Sequence, residues 1–153
     1  MKNQIIHSFP VIGITVRTSN ADGSAAKDIP ELWDRFWSAN IAAQIPGVIS
    51  NDVYSIYTAY DGDYTQPYTT LIGYRVENLD HIPEGLSGLL IEGGSYQQRS
   101  VKGNLLKGVV FDAWVDIWNS DIPRAYTSDF EVYGEKAQNP EDAVVDIYLS
   151  VKL

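Results

Sequence analysis

Hydrophobic and polar positions along the chain predict alternating strands and helices. The segment Val11–Arg17 is β-branched and partly alternating, which predicts a first strand. Large apolar residues then recur at helical spacing, and Asp28 and Pro30 resemble an N-cap and a first-turn proline. A helix is therefore predicted from about Pro30 to Gln44, and Pro46-Gly47 is expected to end it.

The pattern continues with more strands and one more helix. A strand pair around Asp61-Gly62-Asp63 predicts a hairpin with a long loop, and Pro83-Glu84-Gly85 separates two halves of the chain. The predicted elements are strands at Val53–Tyr60, Thr69–Val76 and Leu86–Ser100, a helix at Leu105–Asn119, and strands near Phe130–Gly134 and Val144–Val151.

The two halves share one order of elements. Two pairs of segments echo each other: Leu32–Trp37 with Ala113–Trp118, and Asp52–Tyr57 with Ser128–Tyr133. The predicted fold class is α+β, with two strand-helix-strand-strand repeats related by a pseudo-twofold axis. Two main helices would pack on an antiparallel sheet and leave a ligand groove between the repeats. We expect residues 1–153 to form a single domain, with repeat one over about 5–80 and repeat two over about 85–153.

The acidic strand Asp129–Tyr133 is the centre of the candidate site. Its alternation places Glu131 and Tyr133 on one face and the apolar residues on the other. Ser55 is the repeat counterpart of Glu131, so the groove would contain a glutamate without an acidic twin. A buried carboxylate without a partner is costly, and such a site therefore favours an arriving cation.

Aromatic residues are expected to form the walls of this groove. The tryptophans lie at helical spacing, although packing in an ordinary core is the alternative interpretation of each. The tyrosines fall on the Glu131 face if the alternation and the hairpin pairing hold. Aromatic faces add cation–π attraction of about 0.5–2 kcal/mol per contact. The candidate ligand-binding residues are Glu131, Trp114, Tyr133, Tyr57, Trp33, Trp37 and Tyr148.

Composition narrows the function classes. The chain has no cysteine and two histidines, which argues against a metal site, a thiol nucleophile or a histidine-based triad, so no catalytic residue, metal or cofactor is predicted. The net charge of -9 opposes binding to phosphate backbones. No apolar run is long enough to span a bilayer, and no leader pattern is visible, so a cytoplasmic location without membrane contact is expected.

Five segments resemble the GyrI-like or AraC-type effector-binding domain, which also forms the ligand-binding end of multidrug-responsive transcription regulators. The similarity covers nearly the whole chain and is greatest to free-standing members of the integron-cassette type. The segments are Ile29–Trp33, Tyr57 through Tyr68 to Ile72–Val76, Ile82–Leu86, Gly94–Tyr96, and Asp112–Trp114 through to Phe130–Tyr133.

This resemblance implies two strand-helix-strand-strand units around a groove, with Glu131 meeting cationic, aromatic or amphipathic compounds. Regulators of the family carry a helix-turn-helix domain first, whereas here the first strand starts near Phe9. Direct nucleic-acid binding is therefore not expected, and a regulatory role would need a partner transcription regulator. Two alternatives stay open: a small-molecule hydrolase that uses Glu131, as in some GyrI-like relatives, and a protein-binding inhibitor of the gyrase-inhibitor type.

Overall fold

The computed structural model describes residues 3–152. In these residues, runs rich in β-branched and aromatic side chains form eight strands, and two segments with an apolar stripe form α-helices. Short 3-10 turns lie at Ile41–Gln44, Leu105–Lys107, Glu135–Ala137 and Pro140–Asp142. No helix in residues 3–152 has the length and apolar character needed to cross a membrane. The strands and helices are β1 (Asn3–Ile6), β2 (Phe9–Thr18), α1 (Ala25–Ser38), β3 (Val48–Thr58), β4 (Tyr68–Val76), β5 (Ser87–Ile91), β6 (Gly94–Gly103), α2 (Val109–Trp118), β7 (Arg124–Tyr133) and β8 (Ala143–Val151).

One antiparallel sheet contains these eight strands in the order β1-β6-β8-β7-β3-β4-β2-β5. Exchanging the two halves of the chain gives the same order read from the other end. The central pair is β3 and β7, in which Ser55 lies directly opposite Glu131. The two residues identified as repeat counterparts are therefore cross-strand partners at the pseudo-twofold axis, and the predicted α+β fold class is confirmed.

Both helices pack on the same face of the sheet. Leu32 and Phe36 of α1 are buried in one cluster with strand residues such as Ile12 and Ile72. The helix α2 buries Ala113 and Ile117 against the other half of the sheet. Because each helix covers its own repeat, the middle of this face, over β3 and β7, lies between the two helices.

The opposite face of the sheet curls over its own aromatic core. The rings of Phe9 on β2 and Phe130 on β7 are 5.4 Å apart, although β3 and β4 lie between those two strands. Gly13 and Gly73 are paired across β2 and β4 on this side. A Cβ built on Gly13 would overlap the Ile72 carbonyl oxygen, so the curl requires glycine there.

The first helix differs from its prediction at both ends. It begins at Ala25 rather than at Pro30, and the Asp28 N–H already donates to the Ser24 carbonyl at 2.8 Å. Asp28 therefore lies inside the first turn and is not the N-cap. The helix ends at Ser38 because Asn40 adopts a left-handed conformation with φ 52°, and the residues up to Gln44 form a separate 3-10 turn.

Two edge features were not predicted. The hydrophobic pattern does not indicate β1, a four-residue and mostly exposed strand that pairs with β6 of the other half. The strand region predicted over Leu86–Ser100, with a break at Gly93-Gly94, is two separate strands: β5 is one edge of the sheet, and β6 lies next to β1 at the other side. The break falls at Glu92-Gly93, where the Gly93 N–H donates to the Ser8 hydroxyl at 2.9 Å.

Replacing Gly13 with alanine tests whether the curl depends on this paired glycine. The added methyl group would overlap backbone atoms of β4, so we expect Gly13→Ala to lower the free energy of unfolding by about 2 kcal/mol or more. Gly62→Ala is the control, because its Cβ would meet only the flexible Gln66 side chain, and we expect a change within about 0.5 kcal/mol. Urea denaturation measures both; equal stability of the two variants would contradict this account.

Candidate ligand-binding site

A cavity of about 570 Å³ lies between α1 and α2 over the centre of the sheet. Strands β3 and β7 form its floor, the two helices form its walls, and the loop between β3 and β4 borders it. It is partly open to solvent. The lining residues are Asn20, Gly23, Ala25, Ala26, Ile29, Pro30, Trp33, Tyr57, Tyr60, Tyr64, Tyr68, Val110, Phe111, Trp114, Trp118, Arg124, Glu131 and Tyr133.

Glu131 lies on the floor of the cavity with 2% of its surface exposed. Its Oε2 accepts hydrogen bonds from the Tyr57 hydroxyl at 2.8 Å and from the Trp114 indole nitrogen at 2.6 Å. Its Oε1 accepts from the Tyr133 hydroxyl at 2.6 Å. Three neutral donors, from β3, α2 and β7, therefore hold the carboxylate in one orientation.

The donors of these hydrogen bonds also form aromatic walls. Tyr57 and Trp114 meet edge to face with ring centroids 5.4 Å apart, and Trp33 and Tyr133 do so at 5.0 Å. Each donor turns its polar edge toward Glu131, which leaves the rings as walls. The site thus combines one negative group with several aromatic surfaces.

Burial sets the ionisation of this cluster. It raises the pKa of the Glu131 carboxyl above its ordinary value, and the hydrogen bonds from Tyr133, Tyr57 and Trp114 act in the opposite direction. Burial, followed by the charge of Glu131, raises the pKa of Tyr57 and Tyr133 well above that of a free phenol. Both phenols therefore stay protonated at neutral pH and remain hydrogen-bond donors.

A second buried carboxylate on the same strand has a different environment. Asp129 accepts a hydrogen bond from the Arg124 guanidinium at 2.6 Å in a buried ion pair, and the Tyr60 hydroxyl donates to it at 2.7 Å. Its other oxygen accepts from the Ser150 amide at 3.0 Å. Within residues 3–152 Glu131 has no such cationic partner, so of these two buried carboxylates only Glu131 lacks a counter-charge.

Five of the seven candidate residues line this cavity, and two do not. Trp37 is 58% exposed and lines a neighbouring groove. The side of α1 that faces the sheet contains Trp33 and Phe36, and Trp37 lies outside it. Tyr148 lies on the opposite face of the sheet, where its ring stacks on Phe130 at 4.8 Å. In the observed register Ile147, not Tyr148, is the β8 partner of Glu131, so the predicted face of Tyr148 is wrong. The cavity residues among the candidates are Glu131, Trp114, Tyr133, Tyr57 and Trp33.

Several cavity residues were missed by the sequence reasoning. Tyr60, Tyr64 and Tyr68 flank the loop that was interpreted only as a hairpin turn, and Tyr64 stacks on Trp118 at 5.4 Å. The recurrence of tyrosine every few residues through this loop was the available signal. No sequence signal indicated Arg124, because its role depends on a contact with Asp129 that only the folded structure shows.

The groups that the cavity presents differ from those of a metal centre. Among residues 3–152 no group of three or more histidine, cysteine, aspartate or glutamate side chains could coordinate a metal. What the cavity offers is one oriented carboxylate within an apolar, aromatic enclosure.

Comparison with known proteins identifies the family of this chain. The sequence profile of the Cass2 family, described as integron-associated effector binding protein, matches residues 6–151. The chain belongs to this family, and the resemblance to effector-binding domains is confirmed.

Two relatives and one structural neighbour illustrate the family and the fold. The structure of an integron cassette protein of Vibrio cholerae, VCH_CASS2, is 29% identical, has a TM-score of 0.76, and aligns over 99% of this chain and 95% of its own. YobU of Bacillus subtilis strain 168, provisionally named a transcriptional regulator protein, is 28% identical over 92% of this chain and 90% of its own length. SAV2435, solved bound to tetraphenylphosphonium, shares the fold with a TM-score of 0.78 at 16% identity, over 99% of this chain and 93% of its own.

The raised pKa of Glu131 predicts a pH-dependent stability. Between the ordinary carboxyl pKa and the raised value the folded state binds more protons than the unfolded state, so the free energy of unfolding falls as pH rises. The free energy of unfolding falls by about 1.4 kcal/mol for each unit by which the pKa of Glu131 is raised, and the fall is complete above the folded-state pKa. We expect Glu131→Gln to remove this dependence of the free energy of unfolding on pH, as measured by urea denaturation across that pH range. If the dependence is unchanged in the variant, it arises from another group.

Proposed function

We propose that this protein binds small cationic or amphipathic aromatic compounds in the cavity beside Glu131, as an effector-binding protein. One observation carries the proposal: Glu131 is buried, is fixed by three neutral donors and lacks a cationic partner among the described residues. A cation that enters the cavity supplies the missing counter-charge at a carboxylate already desolvated by the fold.

Size and surface chemistry support this class of ligand. A volume of about 570 Å³ lies within the range of drug-sized sites, and most of the lining is aromatic or aliphatic. Apolar burial supplies most of the binding free energy in such a site, while the carboxylate selects for positive charge. Flat ring faces from Trp33 and Tyr57 add cation–π attraction, which favours delocalised or quaternary cations.

The family description and the similar proteins also support this proposal. The family is named for effector binding, and SAV2435 shares the fold and was solved with a quaternary aromatic cation. YobU carries a regulator's name, which supports a role in transcription regulation. We propose that any such role is exerted through a partner transcription regulator.

Binding accounts for the site better than hydrolysis does. Apart from Glu131, the ionisable groups that line the cavity are Arg124, which is paired with Asp129, and tyrosines. The pKa values of Tyr57 and Tyr133 are raised, so neither phenol loses a proton readily near neutral pH. A general base also needs access to its substrate, whereas both oxygens of Glu131 already accept hydrogen bonds.

Charge selection by Glu131 is tested with a matched pair of ligands. We expect Glu131→Gln to weaken binding of methyltriphenylphosphonium by about 30-fold or more, because the amide offers no counter-charge. Binding of the neutral analogue triphenylphosphine oxide should change by less than about threefold. Isothermal titration calorimetry or quenching of tryptophan fluorescence measures both affinities.

Two controls complete this experiment. Glu141→Gln makes the same charge change at an exposed position outside the cavity, and it should leave both affinities unchanged. The affinity of the wild-type protein for the permanent cation should also fall as pH drops through the raised pKa of Glu131, since the protonated carboxyl carries no charge. Equal losses for the cation and its neutral analogue would refute the proposed role of Glu131.

A further inference from the structure

A second polar side chain lines the cavity of Glu131. Arg124 of β7 is 7% exposed, and its Nη2 donates to the Asp129 carboxylate at 2.6 Å. Within residues 3–152 its Nε is fully buried without a hydrogen-bond partner, and no acceptor is bound to its Nη1. A buried donor without an acceptor is unfavourable, so the cavity wall contains a guanidinium whose hydrogen-bonding capacity is partly unused.

Two aromatic rings and one carboxylate fix the position of this guanidinium. Its central carbon lies 4.5 Å from the ring centroid of Tyr126 and 5.8 Å from that of Trp114. The ion pair with Asp129 holds one edge of the planar group. The remaining N–H groups are therefore oriented before any ligand arrives, which lowers the cost of using them.

The neighbouring charges determine which kind of ligand group suits Arg124. The buried Asp129 carboxylate balances the charge of the guanidinium, whereas Glu131 has no counter-charge among the described residues. The cavity is therefore negative overall, which opposes an anionic group on the ligand. A neutral acceptor, such as a carbonyl oxygen, can take a hydrogen bond from the guanidinium without this repulsion.

Trp114 connects the two polar groups of the cavity. Its indole nitrogen donates to Glu131 at 2.6 Å, and its ring packs beside Arg124. Asp129, the partner of Arg124, lies two residues from Glu131 on β7, a separation of about 7 Å. A ligand that extends along the indole from the Glu131 carboxylate therefore approaches the guanidinium.

We propose that Arg124 is a specificity-determining residue, which donates a hydrogen bond to a neutral acceptor on a ligand whose cationic centre lies beside Glu131. This inference rests on the proposed function and names the ligand class of the same site more narrowly. The preferred ligands are organic cations with a ketone, ester or amide carbonyl about 6–10 Å from the positive centre.

Triphenylphosphonium cations with a ketone in the alkyl tail test this ligand class. The ketone is placed at successive positions, and each compound is compared with the cation that has a hydrocarbon tail of the same length. A carbonyl that finds no donor binds more weakly than a methylene group, because it loses its hydration. At the best position we expect the ketone to bind at least about fivefold more tightly than its hydrocarbon analogue, as measured by calorimetry.

Substitutions of Arg124 identify the donor. Arg124→Lys keeps a cation for Asp129 but lacks the second arm of the guanidinium, so the ketone's advantage should fall below about twofold. The double variant Arg124→Met, Asp129→Asn removes the donor without leaving a buried charge unpaired, and it should make the ketone the weaker ligand. Arg35→Lys, an exposed position on α1, is the control and should leave the advantage intact.

Infrared spectroscopy of the bound ketone tests the hydrogen bond in the unaltered protein. With a 13C-labelled carbonyl, we expect a stretching frequency at or below its value in water, because the guanidinium is a charged donor. A frequency close to that in an apolar solvent would refute the hydrogen bond, whatever the stability of the variants.

The outcomes separate this inference from the function on which it rests. If hydrocarbon-tailed cations bind and lose affinity in Glu131→Gln, but no ketone position gives an advantage, the role of Arg124 is refuted and the proposed function stands. An advantage that survives the double variant would also refute it, because another group would then be the donor. If none of the cations binds, the proposed function fails and this inference fails with it.

Discussion

The hydrogen bonds onto Glu131 connect the parts of this fold that form the cavity. Tyr57 comes from β3, Trp114 from α2 and Tyr133 from β7, so one carboxylate fixes three elements relative to each other. Burying a charge among neutral donors leaves it desolvated without a counter-ion, which is unfavourable for the empty protein and favourable for an arriving cation. Under the proposed function, stability and ligand recognition are thus linked through the same side chain.

The contrast between two carboxylates on β7 shows how the sequence directs this effect. Asp129 and Glu131 lie on one face of the strand, and both are buried. Arg124, on the same strand, neutralises Asp129 and leaves Glu131 to the hydroxyl and indole donors. One buried acid therefore joins β7 to β8 within the sheet, while the other keeps an unmet charge in the cavity.

Features that depend on interactions between residues close in sequence could be predicted, whereas features that depend on contacts between distant residues could not. Alternation within a strand is local, so Glu131 and Tyr133 could be assigned to one face, and the internal repeat revealed the order of the elements. Tyr148 was assigned wrongly because its face depends on the register between β7 and β8, and a shift by one residue exchanges the faces. Tyr60 and Tyr64 border the cavity from a loop, whose path no periodicity describes.

The exchanged edge strands have a consequence for the origin of the site. Each half contributes a strand to the other, β1 to β6 and β5 to β2, so half of the chain could complete its sheet only as a symmetric dimer with exchanged arms. In such an ancestor the axis would hold two identical residues, either two mutually repelling glutamates or none. Two halves that differ in sequence can instead place Ser55 opposite Glu131, so the single negative charge on the axis depends on this difference between the halves.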